Sequence, residues 1–331
     1  MAAKPKLALY WAASCGGCEV AVLDTNEKIL DIAAHFDIVL WPVATDHKYA
    51  GVKALDDGEI DVCLFNGAIR NSEQREMAEV LRKKSKVLVA FGSCACFGGI
   101  PGLANLFARE AILERVFDTT PSTQNPEKTR PQTRWAAPEG ELELPTFYNA
   151  VYRLDDIVPV DYYLPGCAPP PSLVLKAVTA IISGQLPPPG SVLAPEKALC
   201  ASCPRTKEEK KIKGFNRVHL VAADPKKCFL EQGIICCGPA TRDGCEARCI
   251  AANMPCRGCF GPAPEVIDQG AKLLGAIATL VDSNDPAEIR RALAGVADPA
   301  GTFYRFGVPS SLLRVARCAA PGAPGKEAMA K

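Results

Sequence analysis

The sequence lacks an excess of charge of either sign. Its 38 Lys and Arg residues nearly balance its 37 Asp and Glu residues, which leaves a formal net charge of +1 over 331 residues. Nucleic acids and anionic membranes attract strongly basic surfaces. The balance therefore argues against nucleic acid, and against a charged membrane surface, as the main partner.

Long apolar stretches are also missing. No run reaches the roughly 18 apolar residues that a membrane-spanning helix needs. The N-terminal sequence MAAKPK carries no signal core, twin arginine or cleavage site. We therefore expect no membrane insertion and a cytoplasmic location, where thiols stay reduced.

Histidine is scarce, with 3 residues, whereas cysteine is abundant, with 16. So many cysteines fit either disulfides in a secreted protein or thiolate ligands in a reducing compartment. Scattered thiols buried in the core are the plainer alternative. The expected cytoplasmic location favours metal ligands.

The first half of the chain alternates apolar runs with amphipathic segments, a pattern that predicts an α/β fold with a parallel sheet. The predicted strands are Lys6–Ala13, Ile38–Pro42, Ile60–Asn66, Val87–Phe91 and Val158–Leu164. The predicted helices are Val20–Phe36, Ser72–Lys84 with Ser72 as N-cap, and Ser172–Ser183. Thr119–Pro145 has no periodicity and is predicted to be a long surface loop, either a clasp for a partner or simply solvated.

Three of these strands end in turns that combine cysteine with glycine or proline. Cys15 and Cys18 follow the first strand, Cys94 and Cys96 follow the fourth, and Cys167 follows the fifth. Because the carboxyl ends of parallel strands share one sheet edge, four thiolates are expected to converge there, with Cys94 or Cys96 as one of them. Four thiolates suit zinc or a 4Fe–4S cluster. Their dispersal over distant turns favours the cluster.

A second cysteine-rich stretch follows the proline-rich segment at 185–190. Nine cysteines lie between Cys200 and Cys259, including the CxxC pairs Cys200–Cys203 and Cys256–Cys259. Helix and strand patterns are scarce there, so we expect metal binding to stabilise the segment. Eight of the nine would complete two further four-thiolate sites, although a zinc-ribbon array is an alternative. Spacing alone does not choose between Cys236 and Cys237.

These motifs resemble a known family. CGGCE at 15–19, GSCACFGG at 92–99 and PGCAPPP at 165–171 resemble the small subunits of nickel–iron hydrogenases and the related complex I subunit. CASCPR at 200–205, CFLEQGIICCGPATRDGC at 228–245 and PCRGC at 255–259 resemble, more specifically, the cytoplasmic methyl-viologen-reducing (F420-non-reducing) hydrogenase small subunit. The resemblance covers nearly the whole chain.

The resemblance implies three 4Fe–4S clusters, whose ligands we name the proximal, distal and medial sets. The proximal set is Cys15, Cys18, Cys94 and Cys167. The distal set is Cys200, Cys203, Cys228 and Cys236. The medial set is Cys245, Cys249, Cys256 and Cys259. Periplasmic relatives have three medial ligands and a 3Fe–4S cluster, so the fourth thiol, Cys249, implies 4Fe–4S here.

The resemblance also implies a role in electron transfer. The nickel–iron site would belong to a large-subunit partner, and electrons would leave towards a small iron–sulfur subunit and then a heterodisulfide-reductase-type flavoprotein. Glu19 is a candidate proton relay, or simply a residue that stabilises a helix N-terminus. The backbone amides of Gly16, Gly17 and Gly99 are candidate donors to cluster sulfurs.

An alternative function is that of a complex-I-like or other redox-complex subunit without hydrogenase activity. Complex I homologues carry adjacent cysteines in the first motif, whereas Gly16 and Gly17 separate Cys15 from Cys18 here.

The chain is expected to have three parts. Residues 1–184 would form a flavodoxin-like, doubly wound parallel-sheet domain that binds the proximal cluster. Residues 185–262 would form an irregular two-cluster iron–sulfur domain. Residues 263–331 would form a C-terminal helical extension, with helices at Ala263–Ser283, Pro286–Ala297 and Ser310–Ala319.

Overall fold

The computed structural model describes residues 4–208 and 211–313. Its strands are β1 (Lys6–Trp11), β2 (Asp37–Leu40), β3 (Ile60–Asn66), β4 (Ile69–Asn71), β5 (Ser85–Phe91), β6 (Arg134–Ala137), β7 (Gly140–Glu143), β8 (Phe147–Tyr152) and β9 (Tyr162–Leu164). Five of them form a parallel sheet in the order β2-β1-β3-β5-β9. Counted within this sheet, the order is 2-1-3-4-5, which is the flavodoxin-like order. The predicted fold class is confirmed.

Helices connect and flank these strands. In the amino-terminal half they are α1 (Gly17–Leu23), α2 (Ile29–His35), α3 (Tyr49–Ala54), α4 (Ser72–Lys84), α5 (Gly92–Phe97), α6 (Arg109–Glu114) and α7 (Pro171–Ile182). Farther along the chain they are α8 (Arg248–Ala251), α9 (Gln269–Ala278), α10 (Pro286–Leu293) and α11 (Pro299–Phe303). No helix in the described residues is long and apolar enough to span a bilayer.

Neighbouring strand residues point to opposite faces of the sheet, and helices cover the side chains on each face. On one face, Tyr10 and Phe65 pack with Leu81 of α4. On the other face, Leu9 packs with Val174 of α7, together with residues of α1 and α2. This double burial explains why the strands are apolar along their whole length.

The structure corrects several element boundaries. The predicted helix Val20–Phe36 is two helices, α1 and α2, separated by a short 3₁₀ helix at Asn26–Lys28 in which Asn26 has φ +54°. The predicted loop Thr119–Pro145 contains the antiparallel hairpin β6–β7. The N-cap of α4 is Asn71 rather than Ser72, since the Asn71 side chain accepts a hydrogen bond from the Gln74 amide, and the Gln74 side chain accepts one from the Asn71 amide.

The cysteine-rich part contains little regular structure but has an apolar core of its own. Leu199, Phe229 and Ile250 pack there with Leu273 of α9 and Phe303 of α11. This core therefore joins residues from both sides of the expected boundary at 262/263, and the three-part division stays a prediction. Residues 314–331, which include most of the predicted helix Ser310–Ala319, lie outside the described residues.

Candidate iron–sulfur sites

The proximal set lies where the sequence pattern predicts, at the carboxyl edge of the sheet. Cys15 and Cys18 follow β1, Cys94 lies in α5 after β5, and Cys167 follows β9. Burial raises the pKa of the Cys18 thiol, and the nearby Cys94, Cys167 and Cys15 sulfurs raise it further. Burial likewise raises the pKa of Cys94 to about 12, with Cys167 and Cys15 adding to the effect. The four sulfurs therefore surround one location.

Cys96 is the thiol that spacing alone left as an alternative to Cys94. Its S–H donates a hydrogen bond to the Ala90 carbonyl oxygen at 3.2 Å. The residue is 1% exposed and belongs to the apolar core on the α4 face of the sheet. Cys96 is therefore engaged inside the core, whereas Cys94 lies with Cys15, Cys18 and Cys167.

The distal set surrounds a small cavity in the cysteine-rich part. Cys200, Cys203, Cys228 and Cys236 all line it. Burial raises the pKa of Cys200 to about 12; Lys207 opposes the shift, and the Cys236, Cys203 and Cys228 sulfurs add to it. The neighbouring Cys237 lines a different cavity, where its sulfur lies 4.0 Å from the Thr302 carbonyl oxygen.

The medial set lines a third cavity. Cys245, Cys249, Cys256 and Cys259 contribute to its wall, and so does Cys167 of the proximal set. Burial raises the pKa of Cys259 to about 12, with further effects from Cys245, Cys167 and Cys249. The medial set is thus adjacent to the proximal set through Cys167 and Cys259.

Glycines provide the space around the thiols. A Cβ added to Gly92, whose φ is +84°, would lie 2.2 Å from the Cys18 sulfur. At Gly99 it would lie 2.6 Å from the Cys94 sulfur, and at Gly238 it would lie 3.0 Å from the Cys200 sulfur. The backbone therefore approaches the sulfurs more closely than any other residue type allows. Four thiols around each location are the donor set that 4Fe–4S clusters take, so the residues fit the implied group.

A binding site for a single metal ion would need ligating side chains packed closely around one point. Among residues 4–208 and 211–313, no group of three or more His, Cys, Asp or Glu side chains is close enough together to hold one ion.

Backbone amides hydrogen-bond to the cysteine sulfurs, although not all the predicted donors do so. The Gly17 amide donates to the Cys15 sulfur at 3.4 Å. The Gly16 amide donates to the Ser14 hydroxyl and the Gly99 amide donates to the Phe306 carbonyl, so a role of these two glycines as donors to cluster sulfurs stays a prediction. The backbone amide of Ile100, one position beyond the predicted glycine, lowers the pKa of the Cys94 thiol and partly opposes the effect of burial.

Glu19 is buried beside the proximal set, with 2% of its surface exposed. The Trp41 indole Nε1 donates a hydrogen bond to Glu19 Oε2 at 3.2 Å. Glu19 Oε1 is buried and has no hydrogen-bond partner among the described residues. Burial raises the pKa of this carboxyl group, and the hydrogen bond from Trp41 opposes the shift. Glu19 also lies in the first turn of α1, so the alternative role at a helix N-terminus stays open.

Sequence reasoning missed two residues at these sites. Arg205 is 6% exposed and lines the distal cavity, and its only sequence signal was its place two positions after Cys203. Ser93 donates a hydrogen bond from its hydroxyl to the Cys259 carbonyl oxygen, a contact that ties the proximal turn to the medial set. No local pattern predicts a pairing between residues 166 positions apart.

The chain is similar to a known protein family and to hydrogenase subunits from archaea. A family described as "NADH ubiquinone oxidoreductase, 20 Kd subunit" matches residues 15–181. The iron–sulfur subunit of the F420-non-reducing hydrogenase of Archaeoglobus profundus is 38% identical over 315 residues, which are 93% of this chain and 97% of the relative. The corresponding F420-non-reducing hydrogenase chain of Methanothermobacter thermautotrophicus is 36% identical over 321 residues, which are 95% of this chain and 97% of the relative.

A solved structure is similar as well. A chain from an NAD⁺-reducing [NiFe]-hydrogenase in the H2-reduced state matches with a TM-score of 0.48 and 31% identity, over 56% of this chain and 94% of that chain. The family assignment rests on the sequence relatives, which match from end to end. The chain belongs to the family of hydrogenase small subunits that includes the iron–sulfur subunits of the F420-non-reducing hydrogenases.

Proposed function

We propose that this chain is the electron-transfer subunit of a cytoplasmic nickel–iron hydrogenase. In this role it relays electrons from H2 oxidation at a large subunit, through three 4Fe–4S clusters, to a heterodisulfide-reductase-type partner. The observation that carries the proposal is the grouping of twelve cysteines into three adjacent sets, each around its own location. Each cluster would accept and release one electron at a time.

The proximal, medial and distal sets are the residues that would hold these clusters. Metal binding requires thiolates, whereas burial disfavours the thiolate form of Cys94, Cys200 and Cys259 in the metal-free chain. Insertion of the clusters would therefore release protons and stabilise the folded state. This linkage supports the expectation that the cysteine-rich part depends on its clusters for stability.

The large subunit would dock over the proximal set. Cys15 and Cys167 are exposed, whereas Cys18 and Cys94 are buried, so the set opens towards the protein surface on one side. Trp11, which is 39% exposed, lies at the end of β1 next to this opening, and Val20 is exposed on α1. Exposed apolar side chains around a cofactor site are typical of a surface that a partner covers.

The acceptor would dock at the distal end of the relay. Our proposal there is a small iron–sulfur subunit followed by a heterodisulfide-reductase-type flavoprotein, and it rests on the resemblance of the motifs at 200–205, 228–245 and 255–259. The similar proteins are named as F420-non-reducing hydrogenase subunits, and their names give no acceptor.

Glu19 would act as a proton relay between solvent and the large subunit. Its carboxyl group is buried beside Cys18, and Oε1 has no hydrogen-bond partner among the described residues. A hydrogen-bond donor on the large subunit, or a water molecule, would be a suitable partner for that oxygen atom. The bond from Trp41 would fix the orientation of the carboxyl group.

A second candidate function is that of a complex-I-like electron-transfer subunit without hydrogenase activity. It is favoured by the description of the matching family, which covers residues 15–181. That match contains the proximal set but none of the eight cysteines of the distal and medial sets. The two further sets favour the longer relay of a hydrogenase.

Purification of the native complex tests the proposal. The tagged chain would be isolated without oxygen, its partners identified by mass spectrometry, and H2-dependent reduction of methyl viologen assayed. We expect a large subunit with two CxxC pairs that ligate nickel, together with an iron–sulfur subunit and a flavoprotein. A large partner without those pairs, in a complex that does not oxidise H2, would favour the second candidate.

A further inference from the structure

Arg205 places a buried positive charge beside the distal set. The residue is 6% exposed, and its guanidinium carbon lies 3.7 Å from the centroid of the Phe229 ring. Its side chain lines the cavity that Cys200, Cys203, Cys228 and Cys236 also line. Planar stacking on an aromatic ring holds the guanidinium group in one orientation.

The guanidinium group of Arg205 donates its hydrogen bonds to uncharged acceptors. Nη1 donates hydrogen bonds to the backbone carbonyl oxygens of Asp224 at 2.7 Å and Lys227 at 2.8 Å, and Nη2 donates to the side-chain oxygen of Asn253 at 2.5 Å. Within residues 4–208 and 211–313, no carboxylate forms a salt bridge with Arg205. Because a buried charge is costly unless an opposite charge compensates it, this arrangement calls for a negative group nearby.

One donor of Arg205 also lacks an acceptor. Its Nε is buried and has no hydrogen-bond partner among the described residues. The other donors bond to the loop at 224–227 and to Asn253, and Arg205 itself lines the cavity, so Nε is the donor left for a group bound there. An unpartnered buried N–H beside four thiols is suited to a sulfur of a bound cluster.

We propose that Arg205 raises the reduction potential of the distal cluster, an inference that rests on the proposed function. A cluster held by four thiolates is negatively charged, and one-electron reduction adds one further negative charge. A fixed positive charge in a medium of low dielectric constant therefore stabilises the reduced state more than the oxidised state. Arg205 would make the distal cluster the preferred destination of electrons that enter at the proximal set.

The loop around Arg205 is built to hold it in place. The Gln232 side-chain amide donates hydrogen bonds to the carbonyl oxygens of Asp224, Lys227 and Cys228. Two of these carbonyls are the acceptors of Arg205. Because Cys228 is itself a member of the distal set, the same loop positions both the thiol and the charge.

Lys207 offers a matched control, since it is a second positive charge at the same cavity but is exposed to solvent. Its ammonium group donates a hydrogen bond to the Cys200 carbonyl oxygen at 3.1 Å. Exposed charges are screened by water and salt, whereas buried charges are screened much less. Removal of the Lys207 charge should therefore shift the distal potential less than removal of the Arg205 charge.

The Asn253→Asp substitution would offset the positive charge of Arg205 with a carboxylate while the arginine itself is kept. The new carboxylate would replace the Asn253 oxygen that already accepts from Arg205 Nη2. Asn253 is exposed and has φ +55°, a conformation that Asp also tolerates better than most residues. This variant keeps Arg205 and its stacking on Phe229 but loses the hydrogen bond from Asn253 Nδ2 to the Ala223 carbonyl oxygen. With iron content retained, it separates an electrostatic role of Arg205 from a structural one.

The test is a redox titration of the purified native complex, followed by electron paramagnetic resonance, with iron quantified in each sample. The distal signal is assigned as the one that Cys203→Ser alters. We expect a lower distal midpoint potential in Arg205→Gln and in Asn253→Asp, a smaller shift in Lys207→Gln, a value near wild type in Arg205→Lys, and unchanged proximal and medial potentials throughout.

The outcomes are distinguishable. If Arg205→Gln loses the distal irons, Asn253→Asp decides the question, because it retains the arginine. An unchanged distal potential in Asn253→Asp with full iron content overturns the role of Arg205. Absence of any distal signal from the wild-type complex would instead contradict the proposed function.

Discussion

The backbone amide of Cys256 donates a hydrogen bond to the sulfur of Cys236 at 3.3 Å. Cys256 belongs to the medial set and Cys236 to the distal set, so this bond joins the two sets directly. Cys167 of the proximal set lines the medial cavity with Cys259, and its backbone amide lowers the pKa of the Cys259 thiol, so the proximal set adjoins the medial set. The three candidate sites therefore form a continuous series through the protein.

Of the two adjacent cysteines Cys236 and Cys237, only Cys236 is predicted to bind the distal cluster. Cys236→Ser should remove the distal cluster, because serine replaces a thiolate that lines the distal cavity. Cys237→Ser should leave all three clusters in place, since its sulfur lies at a different cavity, near the Thr302 carbonyl. Iron content of the two purified variants checks the prediction. Equal iron loss in both, or loss in Cys237→Ser only, would reverse the assignment.

Cys249 is predicted to complete the medial site. It is exposed and lines the medial cavity with Cys245, Cys256 and Cys259. Cys249→Ala should leave three thiolates and convert the medial cluster to a 3Fe–4S form, which gives a characteristic resonance signal when oxidised. A spectrum identical to that of the wild type in Cys249→Ala would exclude Cys249 as a ligand.

Gly92 is predicted to be essential for the proximal site. Gly92→Ala would place a Cβ 2.2 Å from the Cys18 sulfur, at a φ of +84° that alanine adopts only under strain. We expect loss of the proximal irons and a lower melting temperature of the complex. Gly275→Ala is the matched control, because it lies in α9 with no atom within 4 Å of the added Cβ. In a helix this change should stabilise by up to about 1 kcal/mol. Normal iron content in Gly92→Ala would contradict the proposed fit.

Glu19 is predicted to affect proton transfer rather than cluster binding. Glu19→Gln keeps the shape of the side chain and its contact with Trp41 but removes the acidic proton. We expect slower H2 turnover at unchanged iron content, by about 10²-fold if proton transfer becomes limiting. Asp24→Asn, at the exposed end of the same helix, is the control and should turn over normally. Wild-type H2 turnover in Glu19→Gln would exclude Glu19 as a proton relay.

The sequence allowed the sheet and the proximal site to be predicted for a physical reason. Buried parallel strands are apolar throughout, and their carboxyl ends share an edge, so Cys15, Cys94 and Cys167 had to lie near one another. Ile60–Asn66 and Ser72–Lys84 were predicted with the observed ends. The choice of Cys94 over Cys96 came from the family motif, and the hydrogen bond from Cys96 to Ala90 is consistent with it.

Other features could not be predicted because their signals are weak or long-range. The hairpin β6–β7 has Trp135 and Leu142 opposite each other but 58% and 60% exposed, so no core pattern marked it. The break between α1 and α2 depends on a single turn at Asn26. Arg205 is held by Asp224, Lys227 and Asn253, contacts between distant residues that periodicity does not encode.

Iron quantification tests most directly whether this chain holds three four-thiolate clusters. The complex would be purified without oxygen, and its iron compared with that of Cys15→Ser, Cys203→Ser and Cys259→Ser variants, one from each set. Because the nickel–iron site and any iron–sulfur partner add irons of their own, the losses are compared: we predict about four irons lost in each variant, which sum to about twelve for this chain. A summed loss of about four or eight irons over the three variants would contradict the three-cluster account.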